Sequence, residues 1–283
     1  MDINDFHPIV LHTGKADHQA NWNWHNVCSP FSRIYCVASG SGTVEIAGHT
    51  HTLTPGHLYL IPAFVRHTTS CTDRFVHHYI HVYEEGHVPT SLTDHYQLPF
   101  AVEASETDIH LFERLALLNP TMVLPESNPK GYDNRHTLAQ SILHNKQRSE
   151  WLKMESRGIV LQLFSRFVAQ ATPQPLARDP RIHHAIAYIH THLAEQTTIA
   201  TLAHEACLSP EHFIRLFTQN IGYTPNQYIN QKRIERAQLL LITTSQSVKE
   251  IALTMGYTDA SYFVRAFKRI TGLTPNKYRL TPQ

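Results

Sequence analysis

Residues 251–278 read IALTMGYTDASYFVRAFKRITGLTPNKY, and residues 202–228 read LAHEACLSPEHFIRLFTQNIGYTPNQY. Laid over one another at an offset of 50, Phe213 falls on Phe263, Arg215 on Arg265, Phe217 on Phe267 and Gly222 on Gly272. The ends match as Thr224-Pro225-Asn226-x-Tyr228 against Thr274-Pro275-Asn276-x-Tyr278. Upstream the offset is 49, pairing Leu202-Ala203 with Ile251-Ala252, so a single-residue insertion sits in the turn. A turn absorbs such a change far better than a helix does. Each copy spells a short helix, a turn and a longer helix. Ser209 and Asp259 are N-cap types for the longer helix. Within it Phe213, Leu216 and Phe217 stand at i, i+3 and i+4 and form a stripe for burial. Arg215 and Gln219, like Arg265 and Arg269, fall on the opposite face. Gly222 and Gly272 sit where a helix commonly ends in the left-handed conformation, and Pro225 and Pro275 open the next segment. This is a helix-turn-helix plan made twice. Any helical hairpin has apolar stripes and a closing glycine, but packing alone does not duplicate the polar pattern.

Between the copies, Asn226 to Thr243 holds no Gly or Pro, and Ile234, Ala237 and Leu241 recur at helical spacing. The pattern predicts one helix of about 18 residues, roughly 27 Å long at about 1.5 Å per residue. Two recognition helices held that far apart can enter successive major-groove openings, roughly 34 Å apart on one DNA face. Charge supports this reading. Residues 178–283 carry twelve Lys+Arg against seven Asp+Glu, a net +5, and residues 1–177 carry twelve against sixteen, a net −4. The overall +1 therefore conceals a basic C-terminal part and an acidic N-terminal part. A net +5 gives modest phosphate attraction, so specific sites need further contacts or a second subunit.

The C-terminal hundred residues resemble the DNA-binding domain of AraC/XylS-type bacterial transcription regulators. The resemblance rests on Gly256-Tyr257-x-Asp259-x-Ser261-Tyr262-Phe263-x-Arg265-x-Phe267-Lys268 and on Gly272-x-Thr274-Pro275-x-x-Tyr278-Arg279. Residues 181–193, with Ile182, Ile186, Ile189 and Leu193 on one face, fit the helix that precedes the first copy in such domains. The resemblance implies seven helices, two of which read DNA. Candidate DNA-binding residues are Ser209, Glu211, His212, Arg215 and Gln219 in the first copy. In the second they are Ser261, Tyr262, Arg265, Lys268 and Arg269. Arginine can bond guanine bidentately, whereas serine and helix N-terminal amides suit phosphate. Lys268 and Arg269 are read as phosphate contacts. His212 and Tyr262 each precede a stripe phenylalanine, and packing at the edge of the core is their competing role.

The first half has a different grammar. Runs at Arg33–Ala38, Thr43–Ala47, His57–Ile61 and Phe75–Tyr83 are alternating or rich in β-branched and aromatic residues. Ser39-Gly40-Ser41-Gly42, Ala47-Gly48 and Thr54-Pro55-Gly56 punctuate them, which predicts a small all-β barrel or jelly roll. Gly56, Pro62 and His67 resemble the second cupin motif, as in the N-terminal effector domain of the same regulators. The expected fold class is α+β multidomain. It combines an N-terminal cupin-like β-barrel and dimerisation helices with a C-terminal all-α domain bearing two helix-turn-helix motifs.

Metal-dependent cupins carry a His-x-His and a Glu ahead of the glycine matched by Gly40, since a divalent ion needs several converging ligands. Here Arg33 stands where the Glu is expected and His25 is alone. His49-x-His51 comes too late, in or beside a hairpin turn. No metal, cofactor or catalytic residue is therefore expected, and an arginine suits an anionic or polyhydroxylated ligand. In His77-His78-Tyr79-Ile80-His81 a strand places His77, Tyr79 and His81 on one face and His78 and Ile80 on the other. Two histidines on one face hold zinc only if acidic or Cys partners converge. Candidate effector-binding residues are Trp24, His25, Arg33, Tyr35, His67 and His78, on strands expected at the barrel mouth.

Cys28, Cys36, Cys71 and Cys207 form no CxxC, and no signal-like or long apolar run occurs, which points to a reducing cytoplasm. Helices are expected at Leu111–Leu118 and Trp151–Val168, with Pro120–Pro129 as a loop. In the second helix Ile159, Leu163 and Phe167 form a stripe widened by Leu161, Phe164 and Val168, fit either for a dimer surface or for covering the barrel's end. The expected organisation is a barrel over 1–100, a helical dimerisation region over 101–171, a linker over 172–180 opening Thr172-Pro173-Gln174-Pro175, and the DNA-binding domain over 181–283.

These readings converge on a cytoplasmic, ligand-responsive, sequence-specific DNA-binding transcription regulator of carbohydrate or other catabolic genes, with no enzymatic activity. Its expected partners are double-stranded promoter DNA, a small-molecule effector (a sugar among the candidates) and a second copy as a homodimer. RNA polymerase joins them if the protein activates, and no membrane is involved. Two other readings stay open. One is a metal-binding cupin enzyme or metal sensor fused to a DNA-binding module; the other is a constitutive DNA binder whose barrel only dimerises.

Overall fold

A computed structural model describes residues 6–84, 92, 96–173 and 179–280. The chain divides into two compact units, one built from residues 6–84 and 98–171, the other from 92, 96–97, 172–173 and 179–280.

The N-terminal unit holds β1 (Pro8–Gln19), β2 (Trp24–Val27), β3 (Ser32–Ser39), β4 (Gly42–Ile46), β5 (His49–Leu53), β6 (His57–Ile61), β7 (His67–Ser70), β8 (Arg74–Glu84) and, after β9 (Tyr96–Gln97) of the other unit, β10 (Ala101–Glu103). They form two antiparallel sheets, of order β1-β8-β3-β6-β10 and β2-β7-β4-β5. Ile34, Val44, Leu53, Leu58, Ile61, Phe75 and Ile80 fill the core. All four strands expected from the sequence are present within a residue or so of their anticipated ends. β1 was not anticipated. Its first half is buried on both faces, so it shows no period-2 alternation. β5 agrees with the expected hairpin and extends it. The hairpin turn lies at Ala47-Gly48, and His49 and His51 belong to the returning strand, with His51 paired to Val44.

Four α-helices follow among the described residues, α1 (Glu106–Leu118), α2 (Pro129–Tyr132), α3 (Arg135–Gln147) and α4 (Glu150–Ala169), with a short 3-10 turn at Pro120–Met122 in the stretch expected as a loop. α1 starts earlier than its apolar pattern suggested, because Ser105 and Asp108 close a capping box. α3 was unforeseen, since of its apolar residues only Leu138 and Ile142 are buried, while Leu143 is exposed among polar neighbours. In α4 the stripe Ile159, Leu163 and Phe167, with Val160 and Phe164, is buried inside its own unit. Exposed large apolar side chains nearby include instead Leu117, Leu143, Trp151 and Met154.

In the second unit β11 (Thr172–Pro173) pairs with β9, so the first residues of the anticipated linker form a short ladder; 174–178 lie outside the described residues. Seven helices follow among the described residues: α5 (Pro180–Thr191), α6 (Ile199–Glu205), α7 (Pro210–Ile221), α8 (Pro225–Thr243), α9 (Val248–Thr254), α10 (Ala260–Thr271) and α11 (Pro275–Leu280). The duplication is physical. Thr198 and Ser247 cap α6 and α9, Ser209 and Asp259 cap α7 and α10, and Gly222 and Gly272 end the latter pair at φ 80° and 81°. Leu208 N–H donates to Ala203 O at 2.9 Å and Tyr257 N–H to Ala252 O at 3.0 Å, still at offset 49. The extra residue is therefore Thr258, between the turn and the cap. Each copy also leans on a preceding helix through one tyrosine: His190 Nε2 of α5 lies 2.7 Å from the Tyr228 hydroxyl, and Gln238 Nε2 of α8 lies 2.9 Å from that of Tyr278. Thus α8 supports the second copy as α5 supports the first.

Candidate DNA-reading surface and effector cavity

All ten residues nominated for DNA contact, from Ser209 to Arg269, are exposed on or beside α7 and α10. Phe213, Phe217, Phe263 and Phe267 on the reverse faces are fully buried, so packing fixes which side each helix presents. Ser209 accepts the His212 amide at 3.3 Å, and Asp259 accepts that of Ser261 at 2.7 Å. Among the described residues Arg215 pairs with no carboxylate, while Arg265 lies 3.8 Å from Asp259 with both side chains well exposed. An exposed pair of that kind contributes little, so both arginines are free to turn toward a ligand. Tyr262 keeps 43% of its surface exposed, although its hydroxyl accepts from Asn230 Nδ2 at 3.4 Å and its ring leans on Tyr257.

A cavity of about 220 Å³ lies within the N-terminal unit. Tyr35 on β3, His77, Tyr79 and His81 on β8, and His18 and Trp22 form its aromatic walls. The pairing Arg33↔His81, Tyr35↔Tyr79 and Val37↔His77 puts these side chains on one sheet face. A strap running from Val123 to Tyr132 contributes Leu124, Glu126 and Ser127, and Leu124 N–H donates to the Tyr79 hydroxyl at 2.9 Å. Lys15 and Asp17 stand at the rim, where Asp17 is paired with Arg74 at 2.6 Å. The His77 ring stacks on Phe75 at 4.7 Å and on His18 at 5.3 Å, with Tyr35 edge-on at 4.9 Å. Burial holds His77 and His81 far below the ordinary imidazole pKa and lowers His18 as well, so these rings are neutral at neutral pH. His77 Nδ1 is buried without a hydrogen-bond partner.

Only Tyr35 of the six nominated effector residues lines this cavity. Arg33 points inward as its strand position suggested, but it is satisfied inside the protein. Its Nη2 donates to Ser29 Oγ at 2.6 Å and lies 3.5 Å from Asp133, and Ser29 in turn donates to Asp133. Burial pushes Asp133 up to about 6 against the pull of Arg33 and Ser29, which still leaves the carboxylate ionised at neutral pH. His67 is buried with its Nδ1 3.0 Å from Val65 O, and burial and Arg33 bring its pKa down to about 3. His78 faces away from the cavity toward Phe112. His25 is exposed and Trp24 half-buried on β2; Trp22, just before that strand, fills the wall instead. Among the described residues no three His, Cys, Asp or Glu side chains come together as metal ligands.

Residues 9–85 match the AraC-like ligand binding domain, and residues 202–281 match a helix-turn-helix domain family. The chain belongs to the AraC family of transcriptional regulators. This AraC-family chain is 37% identical over 102 residues to the arabinose operon regulatory protein of Escherichia coli K12, a match covering 36% of this chain and 35% of that protein. It is 27% identical over 150 residues to an uncharacterized HTH-type transcriptional regulator of Staphylococcus aureus, covering 51% of this chain and 20% of the relative. The chain thus spans from a fifth to about a third of the length of these curated relatives. Among solved structures, it is 34% identical to the C-terminal domain of the two-component response regulator yesN from Fusobacterium nucleatum, covering 34% of this chain and 93% of that one, with a TM-score of 0.33. Among the described residues of the AraC-family chain no helix is long and apolar enough to cross a membrane.

Two residues of the AraC-family chain that sequence reasoning passed over are Asn230 and Arg233, one turn apart on α8. Arg233 is 9% exposed and donates to three backbone carbonyls, Leu193 at 2.9 Å, Glu195 at 2.5 Å and Gly256 at 3.4 Å. Asn230 Oδ1 accepts the Tyr257 hydroxyl at 2.8 Å. Together they bind the turn of the second helix-turn-helix to the segment that ends α5. The approach is close: a Cβ on Gly256, at φ +74°, would stand 2.6 Å from Ala194 O. The available signal was the contrast between Gly256 and its counterpart Cys207 in the first copy.

Proposed function

We propose that this protein is a ligand-responsive, sequence-specific DNA-binding transcription regulator without enzymatic activity. Its helical unit binds double-stranded promoter DNA through the N-terminal turns of α7 and α10. The observation that carries the reading is the pair of capped helices, each with its polar side bare and its phenylalanines buried, held on one shared helix. In this assignment Arg215 and Arg265 read bases, one per helix, with Glu211, His212, Gln219 and Tyr262 around them. Ser209, Ser261, Lys268 and Arg269 take phosphates. The cavity walled by Trp22, Tyr35 and His77 takes a small effector, which acts only by binding one arrangement of the protein better than another. The organisation is a barrel over 1–100, a helical region over 101–171 through which a second copy docks, a linker over 172–180 and the DNA-binding part over 181–283. The protein works in the cytoplasm on carbohydrate or other catabolic genes, contacting RNA polymerase where it activates. The test is selection of bound sequences from random DNA by residues 178–283. Enrichment of a site protected in two separated stretches, with affinity falling as salt rises, is expected. Failure to enrich any sequence refutes the proposal.

A further inference from the structure

On the proposed reading face of α7 one side chain is out of keeping with its neighbours. Leu216 and Ile221 of this helix pack against the core of the helical unit. Ile214 lies on the wet side with Glu211 and Arg215, and 38% of its surface is exposed. A single exposed aliphatic residue is ordinary on a protein surface. The duplication makes this one informative, because Val264 holds the same place on α10, next to Arg265, at the offset of 50. The surrounding positions differ between the copies, where Glu211, His212 and Thr218 answer to Ser261, Tyr262 and Lys268. A branched aliphatic beside an arginine thus recurs where the polar letters do not. Branched residues are also poorer helix formers than the straight-chain polar residues a wet face would otherwise take, so helix stability does not account for them.

We propose that Ile214 reads a thymine, packing its branched side chain on the C5 methyl in the major groove, and so sets the preference at a base pair beside the one that Arg215 contacts. The proposal rests on the reading of α7 as a DNA-recognition helix. Of the groups on the major-groove edges only the thymine methyl is apolar; cytosine offers a hydrogen at C5 and an amino donor at N4 instead. Ile214 has no acceptor for that amino group, and covering it would leave it unpaired. The methyl, by contrast, gains by leaving water for another aliphatic surface. Branching at Cβ holds χ1 to essentially one rotamer in a helix, so the side chain stands in place before DNA arrives and little freedom is lost on contact. One turn on, the Thr218 hydroxyl donates to Ile214 O at 2.7 Å, so it is turned back onto the helix and does not compete for the base edge. Arg215 follows Ile214 in the chain and projects about 100° further round the helix, which lets the two side chains engage a guanine and a thymine side by side.

The test uses the full chain and the duplex it enriches most strongly from a random DNA pool, with affinity measured by fluorescence anisotropy at one fixed salt concentration. Each thymine is replaced in turn by deoxyuridine, which removes the methyl and leaves base pairing intact. One replacement is expected to weaken binding of the unaltered chain about fourfold, the worth of one buried methyl group. That thymine is expected beside the position whose preference Arg215→Ala relaxes. Ile214→Ala keeps the fold, since the side chain is exposed and alanine is the better helix former. This variant is expected to bind the thymine and deoxyuridine duplexes equally, whereas Val264→Ala is expected to leave the effect of that methyl in place. A methyl effect that survives Ile214→Ala, or one that Val264→Ala abolishes equally, overturns the proposal. An enriched duplex indifferent to the loss of every thymine methyl sinks it alone. If no sequence is enriched at all, the DNA-reading proposal fails and this one with it, so the two failures are distinguishable.

Discussion

Removing the Arg33 side chain tests the structural account of the N-terminal unit most sharply. Arg33 and Asp133 are 2% and 5% exposed and lie 3.5 Å apart, with Ser29 bridging them. The guanidinium also sits 4.7 Å from the Phe31 ring centroid. Arg33→Ala strands a buried carboxylate, and breaking such a pair costs about 3–5 kcal/mol. Part of that is recovered by protonating Asp133, whose pKa burial has already raised to about 6. The Arg33→Met, Asp133→Leu double variant removes both charges and keeps volume, so it is expected to recover most of the loss and to lie within about 1–2 kcal/mol of the unaltered chain. The assay is urea unfolding of the full chain followed by tryptophan emission. Trp22, Trp24 and Trp151 are the only tryptophans and all lie in the N-terminal unit. The signal therefore isolates its transition even though the whole chain need not unfold in one step. A loss below about 1 kcal/mol in Arg33→Ala, or a double variant no better than the worse single one, would refute the buried-pair argument.

Arg215→Ala and Arg265→Ala are each expected to cost about 1–3 kcal/mol in specific DNA binding and to relax preference in one stretch of the site only. A uniform loss over all sequences reassigns that arginine to phosphate. Arg233→Met keeps the packed stem but deletes three hydrogen bonds to carbonyls, and is expected to destabilise the helical unit by about 2–4 kcal/mol. It should also erode the second footprint before the first; equal loss at both denies Arg233 its positioning role. Acid should loosen the N-terminal unit first. Burial, with help from Arg33, lowers His12 to about 4 and His67 to about 3. Unfolded imidazoles near 6.5 take up protons earlier, so this stability is whole above pH 6.5 and lost as pH falls toward 4 and 3. Asp133, raised to about 6, works in the opposite sense, favouring the fold at low pH and losing that as pH rises through 6. A tryptophan-monitored midpoint that does not fall between pH 6.5 and 4 contradicts the dominance of the histidines.

The DNA-reading half was legible because its evidence is local. Phe213 and Phe217 recur as Phe263 and Phe267, the caps recur as Ser209 and Asp259, and each helix fixes its own wet face by a 3.6-residue period. The cavity was not legible in the same way, since facing in a sheet depends on pairing between distant segments. β1 is buried on both faces along its first half, hiding its period, yet it runs along all of β8 and brings His18 beside His77. Trp22 and Trp24 are near-equivalent as letters; only the start of β2 at Trp24 separates the wall from the strand. His78 and His77 differ by one residue, hence by a whole face.

Arg33 shows why residue type alone misleads. On an inward strand position an arginine demands an anion, and the sequence left two suppliers, a ligand or the chain itself. Asp133 is a hundred residues away in a polar stretch beside the short α2, with no periodicity to announce it. Asp133 and Ser29 take up Arg33, the one buried arginine among the described residues of the barrel strands. Arg233 is the counterpart in the other unit. It too is a buried arginine satisfied by the chain, but by backbone carbonyls, and it contributes orientation rather than charge. Arg215 and Arg265, by contrast, stand on exposed helix faces, where hydration leaves them free to exchange water for a ligand. Burial thus sorts these four arginines into two pairs, one holding the scaffold and the other left on exposed helix faces.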